Sequence, residues 1–293
     1  MSSDFISYWQ ERLVFLDVHY HASPDAYKRK FNAIEAGTAY QAIRGGVLLK
    51  SHLGCTSAVA ATAQSMGLPV FGSVALNSIA GGLDLRSIKQ SLCYYNGNAH
   101  CGRLVVDLPT VVASQHLSKL QRAYANDAVK RFAQEPCFLG DDQQVLFPCI
   151  EEVLDFCNHE SVVLTTGHAT RAQLEALVNL CVKKGGVRLL LNQPANPMTK
   201  MDATALKSLG QYDWLYVEQT ALTLLLGYQT QQDFDEVLAN VHNVVYSSDL
   251  GQLDQLSPQQ WLNQSQTWFD SAKLSAARVQ AITLLNPLQM LTP

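Results

Sequence analysis

Residues 161–194, SVVLTTGHATRAQLEALVNLCVKKGGVRLLLNQP, contain one complete strand–helix–strand unit. The apolar run at 161–168 is followed by Thr170-Arg-Ala-Gln173, a capping-box pattern that starts a helix, and by Gly185-Gly186, which ends it. A second apolar run follows at 187–194. Continuous runs of valine and leucine are typical of strands buried on both faces, as in a parallel sheet covered by helices.

Short apolar runs of this kind recur along the chain, and each ends in polar residues. There are eight of them, at 14–21, 46–52, 69–77, 103–109, 161–168, 187–194, 214–219 and 244–249. Helix-start signals lie between or after them, at Asp202, Thr230 and Ser257-Pro258. Eight β/α units in one series predict an α/β fold, a single (β/α)8 barrel of TIM type, and favour it over an open doubly wound sheet.

The spacing of the runs is regular except between the fourth and the fifth. The excess, at about 110–160, predicts an insertion with a helical stretch at 116–134 followed by a loop at 135–148. The signals at Ser257 predict further helices at the carboxyl end of the chain. Because there is no linker, repeat or low-complexity tract, we expect a single domain over residues 1–293.

Composition excludes several classes of protein. The chain has 47% hydrophobic and 16% charged residues and a net charge of −4, which excludes disorder and does not favour nucleic-acid binding. No apolar stretch is long enough to cross a membrane, and the amino terminus lacks the pattern of a signal peptide. The seven cysteines are scattered without a CxxC pair, which favours reduced thiols. We expect a cytoplasmic protein with a small-molecule substrate; a homo-oligomer stays open.

The active site of a parallel barrel lies at the carboxyl ends of its strands, so the polar residues that end the eight runs are the candidates. Four of the eight histidines belong to this set. The set comprises Asp17, His19, His21, Lys50, His52, Asn77, Asp107, His168, Asn192, Gln193, Glu218 and Asp249.

The pair His19-Tyr-His21 is the most informative of these features. Residues i and i+2 of a strand point to the same face, so two imidazoles at the end of the first strand can converge on one ion. His52, His168 and Asp249 follow at later strand ends. The sequence therefore predicts a metal site.

The motifs Asp17-Val-His19-Tyr-His21, Thr166-Gly-His168 and Ser248-Asp249 resemble those of the amidohydrolase superfamily of metal-dependent hydrolases. The segments LKSHLGCTSAVAA (49–61) and VFGSVALNSIAGGLD (70–84) resemble a poorly characterised branch of it. This resemblance implies that His19, His21, His168 and Asp249 bind a divalent metal, with Zn²⁺ favoured over Mn²⁺ or Fe²⁺. It also implies hydrolysis of a small-molecule amide, ester or related carbon centre by metal-activated water, with Asp249 as the general base.

The chain departs from the family pattern at two strands. Binuclear members carry a lysine at the fourth strand, where this chain has Asp107, and a histidine at the sixth, where it has Asn192-Gln193. These departures argue against a lysine-bridged binuclear centre. A mononuclear site, or a centre that draws on His52 and Glu218, is expected instead.

Three further residues at strand ends are candidates for the chemistry. His52 is a further metal ligand, a hydrogen-bond donor to the attacked oxygen, or a structural residue. Lys50 is expected to contact Asp17, Glu218 or an anionic substrate group, because a buried lysine is costly without a partner. Glu218 ends an apolar run and is a second candidate for a catalytic carboxylate.

Other functions stay open at this stage. The first two strands also resemble those of PHP phosphoesterases, which need at least two ions; the scarcity of arginine at the strand ends, where only Arg171 follows His168, argues against a phosphate substrate. A degenerate barrel without turnover and a lyase are further alternatives. His100, His116, His159 and His242 lie in polar or helical segments and are expected to have no role in the site. No GxSxG motif or catalytic cysteine context occurs.

Overall fold

The computed structural model describes residues 2–95, 100–112 and 119–293. Each of the eight apolar runs contains strand residues, and the third run contains two short strands. The strands are β1 (Phe15–His21), β2 (Gly45–Lys50), β3 (Val70–Phe71), β4 (Ser73–Ala75), β5 (Leu104–Asp107), β6 (Val162–Thr165), β7 (Leu189–Leu191), β8 (Leu215–Thr220) and β9 (Val244–Ser247).

The strands form two parallel sheets in sequence order, which confirms the predicted α/β class. One sheet is β1-β2-β3 and the other is β4-β5-β6-β7-β8-β9. Only Gly72 separates β3 from β4. A Cβ at this glycine would lie 2.9 Å from the Cα of Ser57, so the close approach of the helix that begins at Ser57 requires glycine here.

Hydrogen bonds also connect β1 to the chain just beyond β9. The Asp249 amide donates to the carbonyl oxygen of His19 at 2.8 Å, and the His21 amide donates to that of Leu250 at 2.9 Å. Tyr20 and Leu250 form an isolated parallel bridge. The first and last strands of the series therefore lie side by side.

Two hydrophobic clusters fill the space on either side of the strands. The larger one packs the helices on the outer faces of the sheets. The smaller one takes one or two residues from every predicted strand, namely Leu16, Val18, Leu48, Phe71, Val105, Val163, Leu190, Tyr216 and Val245, and joins them to the first and last helices. Each of the eight predicted strands thus has one face toward a shared interior.

The helices alternate with the strands. They are α1 (Ser2–Gln10), α2 (Ala33–Ala42), α3 (Ser57–Ser65), α4 (Leu85–Tyr95), α5 (Asp127–Phe132), α6 (Cys149–His159), α7 (Arg171–Lys183), α8 (Ala203–Leu209), α9 (Ala221–Leu225), α10 (Gln231–Asn240), α11 (Pro258–Ser271), α12 (Ala276–Gln280) and α13 (Asn286–Leu291), with a 3-10 turn at Ser78–Ala80 and a π-helical turn at Ala281–Leu285. The predicted caps at Thr170, Asp202, Thr230 and Ser257 are confirmed, because each side chain accepts a hydrogen bond from an amide of the first turn.

The insertion between β5 and β6 differs in part from its prediction. The predicted helix at 116–134 is helical only at Asp127–Phe132, which Asn126 caps, and residues 113–118 lie outside the described residues. Residues 123–125 pair instead with 26–28: Lys28 N donates to Ala123 O and Ala125 N to Ala26 O, each at 2.9 Å. The sequence periodicity missed this pairing because it joins segments about 100 residues apart.

Two simpler expectations can be compared with the structure. All seven cysteines are free, as the sequence predicts. In the described part of the chain no helix has the length and apolarity needed to cross a membrane.

Candidate metal centre

A β-bulge in β1 decides which of its side chains enter the candidate site. The register of β1 against β2 shifts between Asp17 and Tyr20, so the alternation of faces changes there. Leu16 and Val18 point to the interior cluster, yet His19 and His21 also line the cavity above it. Without the bulge, Leu16 and the histidines would lie on opposite faces.

Asp17 is consequently not part of the cavity, contrary to the expectation that it lies beside the histidines. Its carboxylate accepts hydrogen bonds from the amides of His19 at 3.1 Å and Ser248 at 3.0 Å, and from the Tyr40 hydroxyl at 2.5 Å. Burial raises the pKa of Asp17 to about 6, although these donors oppose the shift. Asp17 thus ties the end of β1 to the segment after β9.

His19, His21 and Asp249 converge on one point. The distance from Asp249 Oδ1 to His19 Nε2 is 3.2 Å and to His21 Nε2 is 3.4 Å. One ligand atom from each residue lies within 4.8 Å of the other two, and all three residues are buried. Two imidazole nitrogens and a carboxylate oxygen are suitable ligands for a divalent transition metal. This group could therefore hold an ion.

Asp249 is held in a constrained conformation. Its φ of 52° lies in the left-handed region, which a non-glycine residue seldom adopts. Its Oδ2 accepts a hydrogen bond from Gln193 Nε2 at 2.6 Å, and Gln193 has a positive φ of 46° as well. Burial alone would raise the pKa of Asp249, but His19 and His21 outweigh it and hold this pKa well below its ordinary range.

Glu218 contacts His19 from the side opposite Asp249. Its Oε1 lies 3.0 Å from His19 Nδ1 and accepts the Ser247 hydroxyl at 2.9 Å, while its Oε2 accepts the Gln193 amide at 3.0 Å. Both oxygens are thus engaged, and Glu218 does not line the cavity. A carboxylate on the far nitrogen orients a metal-binding imidazole. The geometry makes Glu218 a residue that positions His19.

Asp25 and His52 form a second group with His21, also buried. His52 Nδ1 lies 3.3 Å from Asp25 Oδ1, and the rings of His21 and His52 stack with centroids 4.9 Å apart. Burial lowers the pKa of His52 to about 3, in spite of Asp25. His21 Nδ1 is 3.6 Å from Asp25 Oδ2 and has no hydrogen-bond partner among the described residues.

Arg29 changes the character of this second group. Its Nε donates to Asp25 Oδ2 at 2.6 Å, and a second guanidinium nitrogen contacts the same oxygen. Because the cation already neutralises Asp25, this carboxylate is a poorer metal ligand than Asp249. Sequence reasoning missed Asp25 and Arg29, although His-x-x-x-Asp-x-x-x-Arg spacing after β1 was visible at 21–29.

Lys50 pairs with Asp107, not with Asp17 or Glu218 as expected. The Nζ–Oδ1 distance is 2.5 Å, and Thr165 Oγ1 donates to the same oxygen at 2.6 Å. Lys50 is 4% exposed and Asp107 1% exposed, so the pair is buried. Asp107 at the end of the fourth predicted strand is thus partnered by a lysine from the second predicted strand.

His168 lines the same cavity but belongs to neither cluster of three. Burial and the charge of Arg122 together lower its pKa to about 4. Gly167 shapes this turn: its φ is 52°, and a Cβ there would lie 2.1 Å from Leu108 O. His168 is therefore presented as a neutral imidazole beside the cluster, not within it.

Of the four histidines expected to play no part in the site, the structure describes three, and these three do not line the cavity. His159 and His242 are exposed, and His100 stacks on Tyr8 with ring centroids 3.7 Å apart, outside the cavity lining. His116 lies outside the described residues.

The cavity at this site has a volume of about 320 Å³, in the range of small-molecule pockets. Its floor is formed by the polar strand ends. Its upper walls contain apolar residues, Val111, Val112, Leu120, Met198, Leu222 and Leu226, together with Tyr27 and Arg122. Arg122 comes from the insertion, so a search of strand ends could not find it.

Comparison with solved structures identifies a protein with a similar fold. The structure is similar to a probable 2-pyrone-4,6-dicarboxylic acid hydrolase from Acinetobacter baumannii, solved with citric acid bound, at a TM-score of 0.51. The alignment covers 95% of this chain and 99% of that chain at 11% identity, which supports a common fold.

Comparison of the sequence with models of protein families identifies the family of this chain. Residues 14–218 match the model of a family of unknown function, DUF6282, and the chain belongs to that family. No curated protein matches the chain.

Proposed function

We propose that the nine strands close into one (β/α)8 barrel that spans residues 1–293 as a single domain, with β3 and β4 together as its third strand. The hydrogen bonds from β1 to the segment after β9 support closure on one side, and the single residue between β3 and β4 supports it on the other. A shared interior cluster with a residue from each strand is what a packed barrel requires.

Within this barrel we propose a metal-dependent hydrolase of amidohydrolase type. The observation that carries the proposal is the convergence of His19, His21 and Asp249 at the carboxyl ends of the first and last strands. His168, which lines the same cavity, is the fourth ligand in this proposal. Three imidazoles and one carboxylate favour Zn²⁺, with Mn²⁺ or Fe²⁺ as alternatives.

A bound divalent ion would acidify a water molecule and polarise the substrate. Asp249 then accepts the proton and returns it to the leaving group, since its carboxylate is ionised at neutral pH. Gln193 holds the second oxygen of Asp249, and Glu218 orients His19 through its hydrogen bond to Nδ1. Lys50, an ion-paired cation that lines the cavity, donates a hydrogen bond to the attacked oxygen of an amide, ester or related substrate.

A second candidate function is a phosphoesterase with a multinuclear site. The group His21, Asp25 and His52 supplies further ligands, and Arg29 and Arg122 supply the arginines that the strand ends lack. The scarcity of arginine at the strand ends therefore does not by itself argue against a phosphate substrate. The ion pair of Arg29 with Asp25 disfavours a second ion, so we place the hydrolase of carbon centres first.

Metal content tests the proposal. Protein purified without chelator is expected to carry close to one equivalent of a divalent transition metal per chain, because the first cluster offers three converging ligands beside His168, whereas Asp25 of the second group is already paired with Arg29. Elemental analysis measures this, and anomalous scattering locates the ion. Two equivalents would support the phosphoesterase. Less than half an equivalent, without uptake on addition, would exclude both functions.

Replacement of the strand-end histidines should remove the metal. We expect His19→Ala and His21→Ala to lose most of the bound ion, since each removes one of few ligands, whereas His242→Ala keeps it because that residue is exposed. Occupancy is measured by elemental analysis after dialysis against metal-free buffer, with circular dichroism as the check on folding. Equal occupancy in the three variants would place the ion elsewhere.

A further inference from the structure

The insertion covers the candidate site through contacts with two other loops. Residues 123–125 pair with 26–28 after β1, and Tyr27 and Tyr124 stack with ring centroids 5.6 Å apart. Lys119 contacts the loop after β8, where its amide donates to the Tyr228 hydroxyl at 2.9 Å. The insertion is therefore anchored at both ends of residues 119–125, and it presents Leu120 and Arg122 to the cavity.

Arg122 lies between these two anchors and lines the cavity. Its Nε is buried without a hydrogen-bond partner, and in the described ranges its guanidinium forms no ion pair. Its guanidinium lies over the ring of Tyr27, with the ring centroid 5.2 Å from Cζ. The planar guanidinium donors of arginine match the oxygens of a carboxylate or phosphate group. Arg122 has no such anionic partner among the described residues.

The other cations of the site are already paired. Lys50 is paired with Asp107, and Arg29 with Asp25. The remaining carboxylate of the cavity, Asp249, contacts two imidazoles and the Gln193 amide. Among the described lining residues, Arg122 is thus the cation without a carboxylate of its own.

We propose that the cavity binds a small organic anion, with the carboxylate or phosphate group on Arg122 and the apolar part against Leu120, Leu222, Leu226 and Met198. This inference rests on the proposed function, because it supplies the substrate class for the same cavity. The guanidinium forms two parallel hydrogen bonds with the anionic group and replaces the water lost on burial. The volume of about 320 Å³ accommodates a molecule of the size of an aromatic or short aliphatic acid.

The test compares three probes of matched shape: benzoate, phenylphosphonate and the uncharged benzamide. Binding to metal-loaded and to chelator-treated protein is measured by calorimetry or by ligand-observed NMR. We expect at least one anion to bind tenfold or more tightly than benzamide, about 1.4 kcal/mol, in both forms. The tighter of the two anions identifies the group, carboxylate or phosphate.

Arg122→Gln is expected to abolish this preference and to keep the wild-type metal content. Arg171→Gln is the matched control, because Arg171 is exposed, bonds Glu175 at 2.9 Å and does not line this cavity. A preference that survives in Arg122→Gln, or wild-type protein that binds neither anion better than benzamide, would overturn the inference. Absence of metal with a preserved Arg122-dependent preference would overturn the proposed hydrolase alone.

Discussion

Asp249→Asn is expected to lower turnover by about 10²–10⁴-fold, the usual contribution of a positioned acid–base group. Asparagine has the same shape and can accept the hydrogen bond from Gln193, but its amide cannot take a proton. We therefore expect the substitution to remove the proton acceptor, and with it turnover, without changing the fold. Because neighbouring imidazoles hold the pKa of Asp249 low, the wild-type carboxylate is ionised throughout the neutral range.

Turnover is measured at saturating substrate, with the amide, ester or lactone on which the wild type is active in a screening panel. The variant is loaded with metal, and its metal content and circular dichroism are measured in parallel, since Asp249 is also a proposed ligand. Asp270→Asn, on an exposed face of α11, is the matched control. A loss below tenfold at full occupancy would assign the proton transfer to another group, with His52 the next candidate.

The second large effect is expected on stability, at the buried pair of Lys50 and Asp107. Lys50→Met leaves the carboxylate with the Thr165 hydroxyl as its hydrogen-bond donor. Removal of one partner from a buried ion pair costs about 3–5 kcal/mol of unfolding free energy. The double variant Lys50→Met/Asp107→Leu is expected to regain more than half of this loss, because no unpaired charge remains.

Urea denaturation measures these differences, and Lys207→Met is the control. Lys207 pairs with Glu236 where the two side chains are 42% and 45% exposed, so its loss should cost less than about 1 kcal/mol. The deficit of Lys50→Met should shrink as the pH falls, since protonation removes the unpaired charge of Asp107. A deficit near the control value, constant with pH, would show that the pair does not stabilise the fold.

The wild-type pair has the opposite dependence on pH. Burial favours the neutral form of Asp107, but Lys50 outweighs it and lowers this pKa from its ordinary value of 3.8. A group with a lowered pKa in the folded state contributes stability above its unfolded pKa. This contribution is lost as the pH falls through the lower folded value, so it is complete at neutral pH.

The sequence by itself determined the order of the elements. Buried strands need continuous apolar runs, and helix caps need a side-chain oxygen at the first turn. Both features therefore depend on residues that are close together in the sequence. The strands of 161–194 and the cap at Thr170 lie where these patterns predict them. The same local logic placed His19, His21 and Asp249 at strand ends, and parallel strands bring their carboxyl ends to one side.

Only the tertiary structure decided which polar side chains meet. A one-residue bulge in β1 separates Asp17 from His19 and His21, and strict alternation along the strand gives no sign of it. The partners of Lys50 and Glu218 lie on other strands, and the long-range pairing of 26–28 with 123–125 brings Arg122 over the cavity. Periodicity reports how each segment is buried, whereas the pairing of charges depends on distances between segments that are remote in sequence.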